Sequence, residues 1–241
     1  MGAGEIKNGL VRTGVYLSHV LCVLLAIVLI AGTRPASAGS VSSDVPDVID
    51  TNARYIFYMH GHAIEQGGQR AQRYQYTDIL NALAERDFVV IGEKRGPTIN
   101  VKYADKVAAQ VKKLLAAGVP AGNITVAGHS KGGVITLMTM PRVGEPDIAY
   151  VSFAGCGKES SGFTGYLDFA GKGARKARGR LLSAYDKNDK IAGSCKKALD
   201  VMSNAEVTER ILEFGGGHEL FYNPDPGWID ILVKWANREK L

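Results

Sequence analysis

The chain has 241 residues, 46% of them hydrophobic, which is enough to build a sizeable core and too apolar for a disordered chain. Charged residues make up 22% and the formal net charge is +5, short of the one-signed excess of a dedicated nucleic-acid binder. Residues 1–38 hold Lys7, Arg12 and Arg34 against Glu5, so the remainder carries only +3.

Lys7 and Arg12 precede an apolar run at 15–32, and Ala36-Ser37-Ala38 follows with the small-x-small pattern that a signal peptidase accepts. The segment 1–38 reads as an export signal. The competing reading is an uncleaved membrane anchor, because 18 apolar residues reach the lower limit for spanning a bilayer. Both readings put residues after about 39 outside the cytoplasm. Residues 39–53 are small and polar and read as a leader into the fold.

From residue 54 the pattern alternates between two periods. Apolar runs of strand length lie at 55–59, 88–91, 124–127, 148–153, 181–185 and 207–214, and helical patterns lie at 76–84, 101–117, 130–140, about 195–203 and 228–239. Strands alternating with helices predict an α/β domain over 54–241, a mostly parallel sheet covered by helices on both faces. About 27 residues separate Phe153 from Leu181, too few for a lid domain. Within them the basic stretch 171–180 reads as a solvated loop. Cys156 and Cys195 each follow a predicted strand, so the sheet edge brings them toward each other. They are expected to form a disulfide, with two buried thiols as the alternative.

Residues 124–133 read ITVAGHSKGG: a β-rich run, then Gly128-His129-Ser130-Lys131-Gly132, then a helical pattern. This is the G-x-S-x-G elbow in its required context of strand, sharp turn and helix, and it marks Ser130 as a nucleophile. A serine hydroxyl needs a base, and the chain has five histidines. His19 lies in the export segment, His129 points away on the turn, and His60 and His62 follow the first strand. That leaves His218, in a glycine-rich loop past the last strand. The acid that orients it belongs between serine and histidine in chain order, where Asp186 and Asp189 follow the fifth predicted strand. Asp189 is the candidate, since Lys190-Ile191-Ala192 after it resembles the run after the acid in α/β-hydrolases, and Asp186 is the alternative. An oxyanion hole needs two N–H donors, read here as the backbone N–H of Lys131 and of His62. His60-x-His62 can also chelate zinc, but no further ligand run supports a metal, and Ile64 and Glu65 stand where a binuclear pattern places its next ligands.

The histidine-glycine loop, the serine elbow, the acid loop and the final histidine together resemble the α/β-hydrolase superfamily over about residues 54–240. The likeness is closest to compact, lidless, exported bacterial members, on IGEKRG at 91–96, AGHSKGG at 127–133, YDKNDKIAGSC at 185–195 and GGGHELFYNPDPGW at 215–228. Such membership implies a three-layer α/β-hydrolase fold with eight strands or fewer, no cofactor, and acyl-serine chemistry on a small-molecule acyl substrate. It implies neither nucleic acid as partner nor contact with membrane unless the N-terminal segment stays as an anchor. Lys131 departs from the smaller residue usual after the nucleophile, so a cation borders the pocket or is merely solvent-exposed. The same triad serves esterases, peptidases, thioesterases and acyltransferases, and the fold also supports non-catalytic binding proteins.

Overall fold

Among the described residues seven strands form one sheet whose adjacent pairs all run parallel: β1 (Ser40–Ser42), β2 (Arg54–Met59), β3 (Phe88–Ile91), β4 (Ile124–His129), β5 (Ala149–Phe153), β6 (Gly179–Asp186) and β7 (Ala205–Leu212). The computed structural model describes residues 1–2 and 39–241. The apolar run and alanine motif read as a leader or anchor lie outside the described residues. Among the described residues no helix is long and apolar enough to cross a membrane.

Strand side chains alternate between two faces, and here both faces are apolar. Tyr55, Phe57 and Met59 of β2 join Val126, Tyr150 and Leu181 in one core, under α4 (Asn100–Ala116) and α5 (Lys131–Val143). Ile56 and Tyr58 join Val90, Val151 and Leu182 in the other, under α3 (Tyr76–Ala84) and α8 (Pro226–Ala236). Burial on both sides is why these strands read as unbroken apolar runs. Around them lie shorter helices: α1 (His62–Gln66), α2 (Gly68–Arg73), α6 (Tyr166–Lys172) and α7 (Lys196–Leu199).

The strand order is β1-β3-β2-β4-β5-β6-β7. From β2 the chain travels one way to β3 and then turns back across the sheet through α4 to β4. Right-handed crossovers place connectors of opposite travel on opposite faces, which puts α3 and α4 in different cores. The reversal falls between β2 and β4, so the loops leaving those strands diverge and open a crevice at the carboxyl edge.

Three expectations need correction. Residues 39–53 are more than a leader: β1 pairs with β3 from Ser40↔Val89 to Ser42↔Ile91 and Val45 is buried. A three-residue polar edge strand carries no periodic signal. Helices α1, α2 and α6 are likewise too short to show a period. The 171–180 stretch is not one loop, since α6 ends at Lys172, a 3₁₀ turn spans Ala174–Lys176, and Arg180 lies in β6 with its guanidinium 4.4 Å from the Trp235 ring centroid. Finally, the helix expected from Ser130 begins at Lys131, because Ser130 has φ +55°.

Cys156 and Cys195 form a disulfide, with Cα atoms 5.1 Å apart and a sequence separation of 39. It ties the loop after β5 to the turn before α7. Closing a loop of that size in the unfolded chain corresponds to about 4 kcal/mol. Scanning calorimetry with and without reductant is therefore expected to show a midpoint lower by roughly 10 °C in the reduced protein. An unchanged midpoint would show that native packing alone holds these loops.

Candidate active site

β4 drives straight at the crevice, and its last residue is followed at once by a turn that reverses into α5. Ser130 sits at that turn with φ +55° and ψ −117°, a conformation sparsely populated by residues with a side chain. Two glycines make the turn possible. A methyl group at Gly132 would lie 2.1 Å from the Met59 carbonyl oxygen, and one at Gly128 would lie 2.5 Å from the Gly132 carbonyl. The turn is pinned by Ser130 N–H donating to Phe153 O at 2.8 Å and Val134 N–H donating to Ser130 O at 3.0 Å.

His218 lies on a 3₁₀ turn, Gly217–Tyr222, that brings its ring over the sheet edge. Its Nε2 is 2.9 Å from Ser130 Oγ and its Nδ1 is 2.8 Å from Asp189 Oδ2. A carboxylate only accepts hydrogen bonds, so Nδ1 carries the ring proton and Nε2 is left to accept from the serine. Asp189 is buried, and its other oxygen accepts from Ile191 N–H at 2.7 Å and Ala192 N–H at 2.8 Å. Burial alone would raise its pKa, but the His218 bond and the two backbone donors outweigh that and hold the carboxyl below its usual range.

Asp186 does not touch the ring. Its carboxylate accepts from Asn188 and Gly217 N–H through Oδ1 and from Gly215 N–H through Oδ2, clasping the acid loop to the loop that carries His218. The disulfide braces the same region from the other side: Gly193 N–H donates to Cys156 O and Lys158 N–H donates to Ile191 O, each at 2.8 Å.

Lys131 opens α5 and His62 opens α1, so the N–H of each lies at a helix start, where no intrahelical carbonyl reaches it. Both residues line the cavity above Ser130. A methyl group at Gly61 would lie 3.3 Å from Ser130 Cβ, which is how closely the β2 loop approaches the serine. The two histidines flanking Gly61 do not face a common point. His60 is buried, with Nδ1 2.8 Å from Gly61 O and Nε2 accepting Arg95 N–H at 2.9 Å. Burial, reinforced by the Arg95 charge, pushes its pKa down to about 3, so the ring is neutral. His62 turns toward Glu65 Oε2 at 3.3 Å. Among the described residues no group of three or more His, Cys, Asp or Glu is placed to hold a metal.

The ammonium of Lys131 is neither a free cation at the pocket nor solvent-exposed. It bonds Glu65 Oε2 and donates to Thr98 O at 2.7 Å, with the side chain 12% exposed. Glu65, wholly buried at its side chain, also accepts Arg95 Nε at 2.7 Å, and Arg95 Nη2 donates to the His60 carbonyl. One carboxylate thus joins the helix opened by His62 to the helix opened by Lys131. Burial acts to raise the Glu65 pKa, but the bonds and charges of Lys131 and Arg95 more than offset it and hold the carboxyl below 4.5. Sequence reasoning missed this group because Glu65 was weighed only as a failed metal ligand. It also missed Tyr74, whose hydroxyl lies 3.1 Å from His129 Nδ1 and accepts Gly61 N–H at 3.4 Å. No local spacing links 65 to 131 or 74 to 129.

The resulting cavity holds about 370 Å³. Its walls include Ala63, Arg70, Ile191 and Tyr222, and the β5–β6 connection closes one side with Phe163 and Thr164.

A parallel three-layer sandwich with a strained serine turn at its switch point is the α/β-hydrolase arrangement, and solved structures of that fold superpose on this chain. A lipase-esterase related protein from Clostridium acetobutylicum does so with a TM-score of 0.54 at 15% identity, covering 78% of this chain and 97% of that one. A hyperthermophilic esterase from the archaeon Pyrobaculum calidifontis gives a TM-score of 0.54 at 16% identity, covering 77% of each chain. SOBER1 of Arabidopsis thaliana gives 0.50 at 12% identity, covering 77% of this chain and 98% of that one. No family model and no curated protein sequence matches the chain. The chain has the α/β-hydrolase fold, with seven strands in the sheet among the described residues.

Replacing Glu65 by Gln leaves two buried cations without a counter-charge, a loss of about 3 kcal/mol or more, or roughly 10 °C in thermal midpoint. The pH dependence has a definite sign. A depressed carboxyl stabilises the fold fully above its unfolded pKa, near 4.5, and the contribution is lost as pH falls below that. Melting curves of the wild type are expected to drop steeply from about pH 4.5 downward, and those of Glu65→Gln to start lower and fall less. Parallel acid limbs would refute this.

Proposed function

We propose that this chain is a serine hydrolase that cleaves carboxylic esters or related acyl bonds through an acyl-serine intermediate. The observation that carries the reading is the unbroken relay of two hydrogen bonds, 2.9 and 2.8 Å, from Ser130 through His218 to Asp189. The fold supports it, since its switch point is where open α/β sheets put their ligands.

In the forward direction Ser130 Oγ attacks the acyl carbon while His218 Nε2 takes its proton. The carbonyl oxygen becomes negative and faces the N–H groups of Lys131 and His62, with the start of α5 adding its positive end. Collapse breaks the bond to the alcohol, which leaves with the proton that His218 returns. Asp189 holds the imidazolium in place throughout. Water then gives a proton to Nε2 and attacks the acyl-serine, and collapse releases the acid as Nε2 returns that proton to Ser130 Oγ.

The β5–β6 connection forms a wall and not a cover, and the cavity walls include Gly162 and Gly165, which carry no side chain over the opening. That supports hydrolysis of short, soluble esters without activation by an interface. The disulfide supports an oxidising compartment outside the cytoplasm, with the N-terminal segment as the means of export.

A fluorophosphonate probe is expected to label the wild type and not Ser130→Ala. Turnover of a short-chain ester should fall about ten-thousandfold in Asp189→Asn, because the ring is then held in the wrong tautomer. Asp186→Asn should lower thermal stability with a far smaller kinetic effect, since Asp186 bonds only backbone. Equal kinetic losses in the two variants would reverse their roles, and labelling of Ser130→Ala would place the nucleophile elsewhere.

A further inference from the structure

Among the described residues two cations line the cavity, Arg70 and Lys131, and no aspartate or glutamate does. The charge of Lys131 is spent on Glu65. Arg70 is different. The acid nearest it, Glu219, has both oxygens taken by Arg73, with Nη2 2.9 Å from Oε1 and Nη1 2.9 Å from Oε2. Arg70 Nε makes only a long ion pair with Glu219 Oε1, at 3.7 Å and outside hydrogen-bonding reach, on a carboxylate it shares with Arg73. Among the described residues its guanidinium makes one hydrogen bond, from Nη2 to Tyr222 Oη at 3.1 Å.

That bond aims the side chain. Tyr222 is buried and stacks on Tyr74 with ring centroids 4.4 Å apart, so the hydroxyl that holds Arg70 is itself fixed. Tyr222 closes the same 3₁₀ turn that carries His218. The cationic group and the candidate base are therefore set by one short segment. The charge also reaches the elbow: His129 is held well below its usual pKa by burial first, then by His218, with Arg70 a further contributor. Two arginines against one carboxylate leave this wall with an uncompensated positive charge. A guanidinium with open donors matches the two oxygens of a carboxylate. In the same cavity as the serine, Ala63, Phe163 and Ile191 supply apolar surface suited to a short methylene chain, and about 370 Å³ lies at the small end of ligand pockets.

We propose that the cavity selects esters of short dicarboxylic acids, with Arg70 binding the free carboxylate while the esterified end meets Ser130. The assignment names a substrate class for the proposed hydrolase and rests on that reading.

The test compares methyl hydrogen glutarate with methyl pentanoate, its uncharged counterpart of equal chain length. The wild type should favour the charged ester in kcat/KM by roughly tenfold or more at low salt, as expected of a bond to a charged group. Because Arg70 is half-exposed, that preference should shrink as ionic strength rises. Arg70→Gln should abolish it, lowering kcat/KM for the charged ester far more than for methyl pentanoate. Equal kcat/KM for the two esters in the wild type, or equal losses for both in Arg70→Gln, would overturn the assignment and leave the hydrolase reading standing. An NMR titration of Ser130→Ala with methyl hydrogen glutarate reads the anchor without chemistry. Saturable binding that weakens when Arg70→Gln is added supports the proposal, and no binding, or binding indifferent to Arg70, overturns it. Binding there combined with no turnover of either ester by the wild type would sink the hydrolase reading alone.

Discussion

The contact on which the rest depends is steric: the start of α5 passes so close to the end of β2 that the Met59 carbonyl would lie 2.1 Å from any side-chain carbon at residue 132. Only glycine permits that approach, and only that approach lets the chain reverse within one residue of β4. The strained backbone of Ser130 follows from it. Such a conformation costs on the order of 1–3 kcal/mol and persists where surrounding structure over-determines it. Here β4 lies between β2 and β5, and α5 is buried through most of its length, so the turn has no room to relax.

Around this turn the protein uses two kinds of restraint. Apolar layers fix the strands, and polar clasps fix the loops between them. Asp186 joins the acid loop to the histidine loop, Glu65 joins the two helix starts that face the serine, and Tyr74 joins the β2 loop to His129. Each clasp is buried and hydrogen-bonded, so it holds a definite geometry where an apolar contact would tolerate sliding. Loss of one member leaves its partners desolvated and unsatisfied, which makes the clasps costly to break.

The sequence exposed the parts of this design that are periodic or contiguous. Five of the seven strands, β2 to β6, appear as apolar runs because both their faces are buried, the edge strand β7 shows only a broken run, and the elbow is visible because its glycines and serine lie within five residues. His218 is reached by sorting the five histidines and Asp189 from chain order, and the structure brings both side chains together with Ser130. What stayed hidden depends on distance across the fold. β1 is three polar residues made into a strand by pairing with β3. Glu65 gains its meaning from Lys131, 66 positions away, and Arg70 from a tyrosine 152 positions away. The residue after the serine shows the difference best: sequence offered it to the substrate or to solvent, and the fold turns it inward to a carboxylate.

The two imidazoles at the elbow carry a consequence of their own. His129 and His218 have ring centroids 4.8 Å apart, and His129 is fully buried with its basicity suppressed by burial and by its neighbour. The inner imidazole is therefore neutral, and it packs against the outer one as an aromatic surface that sets no second positive charge beside it.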